Sequence, residues 1–209
     1  KKEYVPKSEY KWSKIYKPSP SFVSIHLGVN KELINDKFNC HHIIVENWDE
    51  LENEKGVIFI SIPTLLDPSL APEGKHIIHA FTPSSIDKWE KLSREEYLTK
   101  KQNYYEFIIR KISKIIPNLS ENITHKEIGT PRTHKKFLGR FEGSYGPIPN
   151  KKLLGLLPMP FNTTKIKNLY CVGDSCFPGQ GLNAVAFSGY ACAHKIGSKL
   201  NINSPNLPD

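Results

Sequence analysis

Residues 168–194 read NLYCVGDSCFPGQGLNAVAFSGYACAH, and the fold turns on how they are parsed. Leu169–Val172 is apolar and β-prone, and Gly173-Asp174 closes it, so a strand is expected there. Ser175–Pro178 make a turn. Gly179-Gln180-Gly181-Leu182-Asn183-Ala184 then opens a helix expected to run to about Leu200, with Ala, Ser and Gly on several faces. Small residues of this kind let a backbone approach another backbone or a flat ligand closely.

Gly179-x-Gly181-x-x-Ala184 matches the dinucleotide fingerprint G-x-G-x-x-G/A letter for letter, but not in context. In that fingerprint the glycines follow their strand at once, and an acidic residue about 20 positions on binds the ribose. Here six residues separate Val172 from the first glycine, and no acidic residue or further strand follows at that spacing. The stretch is therefore no self-contained Rossmann unit. Its physics still points to a flat, anionic ligand. A carboxylate at the end of a strand can accept hydrogen bonds from sugar or ribityl hydroxyls. The free N–H groups and positive dipole end of the following helix would suit a phosphate or the negative edge of a reduced flavin.

Upstream, the chain reads as a different kind of structure. Phe22–Val29, Cys40–Glu46, Val57–Ile62 and His76–Phe81 are β-branched or aromatic runs separated by Gly, Pro, Asn and Asp. Short connectors of this kind favour an antiparallel or mixed sheet over βαβ units. Pro63 and Pro83 should stop the third and fourth strands, since proline brings no N–H to the ladder. A long helix follows, opened by the capping box Ser93-Arg94-Glu95-Glu96 and closed by Pro117. Tyr97, Leu98, Tyr105, Ile108, Ile112, Ile115 and Ile116 draw one stripe along it, which should cover a face of the sheet. Glu127–Arg140 gives a short strand, a turn and a short basic helix. Residues 141–168 read as a long Gly- and Pro-rich loop containing the apolar stretch Leu153–Phe161. The class is α+β.

Composition limits the rest. The chain has 209 residues, the length of one domain or of one and a half, with 38% hydrophobic and 24% charged residues. No apolar run is long enough for a membrane-spanning helix. The net charge of +8 comes from 25 Lys and only four Arg (Arg94, Arg110, Arg132, Arg140). Phosphate and base recognition favours the planar guanidinium, so scattered lysines argue for a solvated surface rather than a nucleic-acid partner, with attraction to an anionic lipid surface as the remaining alternative. Four cysteines make no disulfide framework, and Cys171 with Cys176 is a poor zinc pattern, so both are expected as buried thiols. His41-His42 and the pair His76 and His79 point to opposite faces of a strand and do not chelate, so no metal is expected. Residues 1–20 are polar and Pro-broken and read as a connector entered mid-chain, and 201–209 as a frayed tail.

The opening stretch resembles, over its whole length, the flavin-binding motif at the C-terminus of carotenoid isomerases (prolycopene isomerases), which belong to the phytoene-desaturase-like FAD flavoproteins. The resemblance continues through GTPRTHKKFLGRFEGSYGPIP (129–149), MPFNTT (159–164), SIPTLLDPSLAPEGKHIIHAFTPSSIDKWEKLS (61–93) and PSFVSIHLGV (20–29). It covers about residues 20–200, several specific stretches in the right order. The resemblance implies a substrate domain over 21–140, built on an antiparallel sheet with covering helices. Residues 141–200 would return the chain to a Rossmann-like FAD-binding domain and supply its last strand and helix. That domain's own first glycine fingerprint, which clamps the ADP half of FAD, lies outside these residues, so the chain alone is expected to hold little or no flavin.

Carried onto this sequence, the resemblance places Gly173 and Asp174 at the ribityl–pyrophosphate region of FAD. It places Gly181, Leu182, Asn183 and Ala184 near the isoalloxazine, although the family more often carries an apolar residue where Asn183 stands. It implies cis-to-trans conversion of a poly-cis carotene by reduced FAD, with no net redox change, in a plastid and in peripheral contact with a membrane. Such chemistry asks for an apolar tunnel and an electron-rich cofactor, so no catalytic side chain is assigned. Leu153–Phe161 could line that tunnel, dip into a membrane or simply pack. Two other readings stand beside this one: a FAD-dependent oxidoreductase of the same family (carotene desaturase or retinol saturase), or an inactive truncated chain or subunit that needs a partner. A mass change of two hydrogens in the product would separate the oxidoreductase from the isomerase. Nothing in the sequence sets the oligomeric state.

Overall fold

The computed structural model describes residues 5–7, 15–35, 37–51, 53–149 and 159–202, and the chain divides into two compact units. One comprises residues 20–144. The other comprises 1–19 together with 145–209.

The first unit is built on a five-stranded sheet of order β3-β4-β5-β2-β6, with every neighbouring pair antiparallel. The strands are β2 (Ser21–Asn30), β3 (His41–Val45), β4 (Val57–Ser61), β5 (Lys75–Ser84) and β6 (Ile123–Gly129). Alternation sets the two faces. Val23, Ile25, Leu27 and Val29 of β2 and Ile78 and Ala80 of β5 are buried, and their neighbours point the other way. Pro63 begins a 3-10 turn after β4, as expected. Pro83 does not end β5: it pairs with Phe22 near the strand's end. The ladder to β4 reaches only Phe81, so β5 has an edge there on which a missing N–H costs nothing.

The buried face is covered by α1 (Arg94–Ile112). Its capping box forms: the Glu96 N–H donates to Ser93 Oγ at 3.3 Å, and the Ser93 N–H donates to Glu96 Oε2 at 2.8 Å. Glu95 and Glu96 in the first turn and Arg110 and Lys111 in the last suit the helix dipole. The stripe differs from expectation at three places. Leu98 is exposed, whereas Tyr104 and Ile109 join Ile108 and Ile112 in the core. Tyr104 is held inside by Ser84, whose Oγ also accepts the Trp89 indole N–H at 2.8 Å and donates to Glu54 at 2.8 Å. A buried phenol tolerates burial when its hydroxyl has such a partner. After β6, α2 (Pro131–Leu138) starts at the Thr130 cap and ends at Gly139, whose φ of 63° is the left-handed stop.

In the second unit, β1 (Tyr16–Pro18) pairs antiparallel with β7 (Pro147–Pro149), so the segment read as a loop after residue 140 contains a strand. The expected helix is present as α3 (Leu182–Lys199). The strand expected at 169–174 is not: Tyr170 makes one isolated bridge to Thr163, and Leu169 and Val172 are exposed. A strand exists only by pairing, and among the described residues no strand of either sheet pairs with this segment. Of the apolar stretch Leu153–Phe161, residues 153–158 lie outside the described residues, as do 203–209 of the tail and most of the 1–20 connector.

Candidate functional site

The Gly173–Asp174 turn is held in shape by side chains from α3 and from the segment before it. Ser188, fully buried on the second turn of α3, accepts the Gly173 N–H at 3.2 Å and an Asn162 Nδ2–H at 3.0 Å. Asn162 Nδ2 also reaches the carbonyls of Cys171 (2.9 Å) and Ser188 (3.3 Å), and the Cys171 N–H returns a bond to the Asn162 carbonyl at 2.9 Å. The Gly173 carbonyl accepts the Cys176 N–H at 3.2 Å and closes the turn. From the other side comes Gly146. A Cβ there would lie 2.7 Å from the Asp174 carbonyl oxygen, so only glycine fits. Ser19 fixes that approach, since its N–H donates to the Gly146 carbonyl at 3.1 Å and its Oγ accepts the Tyr145 N–H at 3.0 Å.

Between Asp174 and the helix, Cys176 is buried and its thiol is pushed up to about 11, chiefly by burial and then by Cys171, Cys192 and Asp174. It is a poor thiolate and a packing residue. Cys171 is exposed, contrary to expectation. The peptide between Phe177 and Pro178 is cis.

Then α3 begins. Gly181 is its N-cap with φ 102° and ψ 151°, a conformation open essentially to glycine alone. No side chain caps the helix and no acidic residue stands in its first turn, although the Val185 N–H bonds back to the Gly181 carbonyl at 2.9 Å. Gly181, Leu182 (82% exposed) and Asn183 lie at the surface, and a Cβ built on Gly181 or Gly173 would meet nothing within 4 Å. Among the described residues nothing accepts the first N–H groups of α3, which lie in the same unit as the half-buried Gly-Asp turn, and Ala184 is half-buried. This geometry fits the anionic edge of a flat cofactor. The six positions expected from sequence, Gly173, Asp174, Gly181, Leu182, Asn183 and Ala184, all lie in this one unit. Ser188, Asn162 and Gly146, which shape the turn, stand in stretches that carry the resemblance, but nothing in the sequence assigned them this role. Ser188 has the one local signal, as a polar residue in the otherwise apolar run Ala184–Gly189.

The sheet of the other unit has an aromatic outer face. Phe59 stacks on Phe81 (centroids 4.9 Å apart), Phe22 lies 5.1 Å from Phe81, and His79 stacks on His26 at 4.5 Å. His134 of α2 adds a ring 4.7 Å from Phe22. Burial holds His79 down to about 4, with His26 beside it adding to the effect. His76, three residues before it, points inward and meets Thr64 Oγ1 at 2.8 Å, so the two do not converge. The signal for this face was one phenylalanine in each of β2, β4 and β5, out of phase with the buried residues of its strand. Among the described residues no group of three or more His, Cys, Asp or Glu is placed to hold a metal ion. No helix described is long and apolar enough to cross a membrane.

No family model matches the chain. Its fold is shared with part of an oxidoreductase from Methanosarcina mazei, at a TM-score of 0.51 and 15% identity, covering 95% of this chain and 39% of that one. The class is thus an α+β chain built on antiparallel sheets, with the fold of the matched part of that protein. In sequence it is homologous to the prolycopene isomerases: it is 53% identical to the chloroplastic prolycopene isomerase of Arabidopsis thaliana over 97% of its own residues. It spans 34% of that relative's length. A 4,4'-diaponeurosporene oxygenase of Staphylococcus haemolyticus is 28% identical over 88% of the chain.

Proposed function

We propose that this chain forms the substrate-facing sheet and the flavin-facing turn of a FAD-dependent carotenoid cis–trans isomerase that converts poly-cis-lycopene to the all-trans isomer in a plastid. The observation that carries the reading is the open, uncapped start of α3 beside the Gly173–Asp174 turn, in a chain 53% identical to a prolycopene isomerase. Reduced FAD, when bound, supplies the electron density that loosens a polyene double bond. The chain's part is to hold and orient. Gly173 and Asp174 would meet the ribityl–pyrophosphate region, Gly181 through Ala184 would present helix N–H groups to the ring's negative edge, and Ser188 would keep the turn in register. The unit of residues 20–144 serves as substrate domain, its ladder of Phe22, Phe59, Phe81 and His79 offering π-faces along which an apolar polyene can lie. A carotene dissolves in membranes, so the protein meets its substrate at a membrane surface.

A second reading, a redox enzyme acting on a carotenoid, draws on the oxygenase relative and the oxidoreductase fold. A third, that the chain acts only with a partner, draws on its spanning a third of its relatives' length. One experiment separates them. A chimera in which this chain replaces the matched third of the Arabidopsis isomerase is given poly-cis-lycopene, once under reducing, anaerobic conditions and once in air. All-trans product of unchanged mass supports the isomerase, and a product changed by two hydrogens or by added oxygen supports the redox reading. Activity in the chimera but not in the separate chain assigns it the role of a part.

A further inference from the structure

The unit of residues 20–144 holds a cavity of about 600 Å³ between the start of α1 and the outer side of α2. Among the described residues its charged lining is Arg94, Arg132, Lys135 and Lys136 against Glu90, four cations to one carboxylate. Two of the chain's four arginines are here. Arg132 is already oriented: its Cζ sits 4.7 Å over the Tyr97 ring, and its guanidinium donates to the Leu92 carbonyl at 3.3 Å. Lys135 pairs with Glu90, which leaves three cations without a carboxylate in the groove. Beside this charge, α2 and the turn after it expose large apolar side chains. Phe137, which also lines the cavity, is 72% exposed, Leu138 is 58% and Phe141 is 73%. Lys136 Nζ lies 5.2 Å over the Phe137 ring.

Cations beside exposed phenylalanines serve two needs at once: the rings enter the headgroup boundary while the basic groups meet lipid phosphates. A solvated charged face explains the lysines but not three large apolar residues within five positions. We propose that this groove and the Phe137–Phe141 segment dock the protein on an anionic membrane surface, one lipid phosphate sitting in the groove against Arg94, Arg132 and Lys136. The assignment rests on the membrane contact put forward under Proposed function and says which surface makes it.

Vesicle co-sedimentation of the 209-residue chain tests it, using phosphatidylcholine with and without added phosphatidylglycerol. The wild-type chain is expected to sediment with the anionic vesicles and to be released by salt. R132E/K136E should weaken that binding at least about tenfold, since each basic group at an anionic surface is worth on the order of 1 kcal/mol. F137S/F141S should weaken it too, and K167E/K195E, with the same change in net charge on exposed residues of the other unit, should not. All substituted side chains are exposed, and unchanged thermal melts by circular dichroism confirm that the variants fold. If R132E/K136E binds as the wild type does, this surface is wrong while the membrane contact stands. If no chain binds either vesicle, both fall. Equal, salt-insensitive binding to neutral vesicles overturns the phosphate in the groove, and retention on polyglutamate without vesicle binding assigns the groove to an acidic protein instead.

Discussion

Ser188 is the residue on which the proposed cofactor turn depends most, and Ser188→Ala isolates its role. Alanine is smaller by one oxygen and is a good helix former, so α3 itself should be undisturbed. Asn162 loses one acceptor but keeps the Cys171 and Ser188 carbonyls. The Gly173 N–H loses the acceptor it has at 3.2 Å. An orphaned donor costs about 1–3 kcal/mol when buried, and Gly173 is only half-buried, so about 1–2 kcal/mol is expected. With two compact units, a single melting midpoint averages over both, so local opening is the better readout. Amide hydrogen exchange at Gly173 and Asp174 should speed up about 5- to 30-fold in the variant, with the amides of β2 unchanged. Unchanged exchange at Gly173 would refute the claim that Ser188 holds the turn. Acceleration spread evenly over α3 would refute it as well, because that pattern reports a loosened helix.

Other outcomes follow from the same contacts. Ile108→Ala, at a fully buried site under the sheet, should cost about 2–5 kcal/mol in urea unfolding followed through the first unit. Gly181→Val forces a β-branched residue into φ 102° and should lower flavin content of the chimera, whereas Ala186→Ser, one turn on and exposed, should not. Stability should fall as pH drops from about 6.5 towards 4. His79 is held neutral in the fold down to about 4 by burial and His26, while the unfolded chain takes up its proton near the ordinary histidine value. Burial also lowers His134, which adds to the same slope, and His79→Phe should flatten part of it in melts across that range.

How much of this was legible in the sequence varies with the range of the interaction involved. The strands and α1 were readable because their determinants are local: β-branched alternation in Phe22–Val29, and a serine three residues before a glutamate at 93–96. Pro83 was misjudged because the cost of a missing N–H depends on which strand lies alongside, and β4 stops pairing at Phe81. Tyr104 was overlooked in favour of Leu98 because its burial depends on Ser84, 20 residues away. In the candidate site the glycines and Asp174 were visible as a motif. Ser188, Asn162 and Gly146 lie in the quoted stretches without a readable role, since each acts on the turn through a contact across nine or more residues of sequence, or through a close approach that only the fold brings about.

That division has a consequence for how the site works. Residues 169–174 were expected to be positioned by a sheet, yet among the described residues their contacts are a single bridge at Tyr170, the Asn162 amide, the Ser188 hydroxyl and the backbone of Gly146. The side chains that a sheet and its covering layer would bury, Leu169, Val172, Leu182 and Phe187, are exposed instead. Exposed apolar residues do not hold the turn, and polar residues with satisfied bonds do. The turn's shape and its affinity for a partner surface are therefore separable. Substitutions of the polar set should alter the exchange of Gly173 in the separate chain, while substitutions of Leu182 or Phe187 should leave that exchange alone and act only where something covers them, as in the chimera. If Leu182→Ser changes Gly173 exchange in the separate chain as much as Ser188→Ala does, the two roles are not separate and the turn is held by apolar packing.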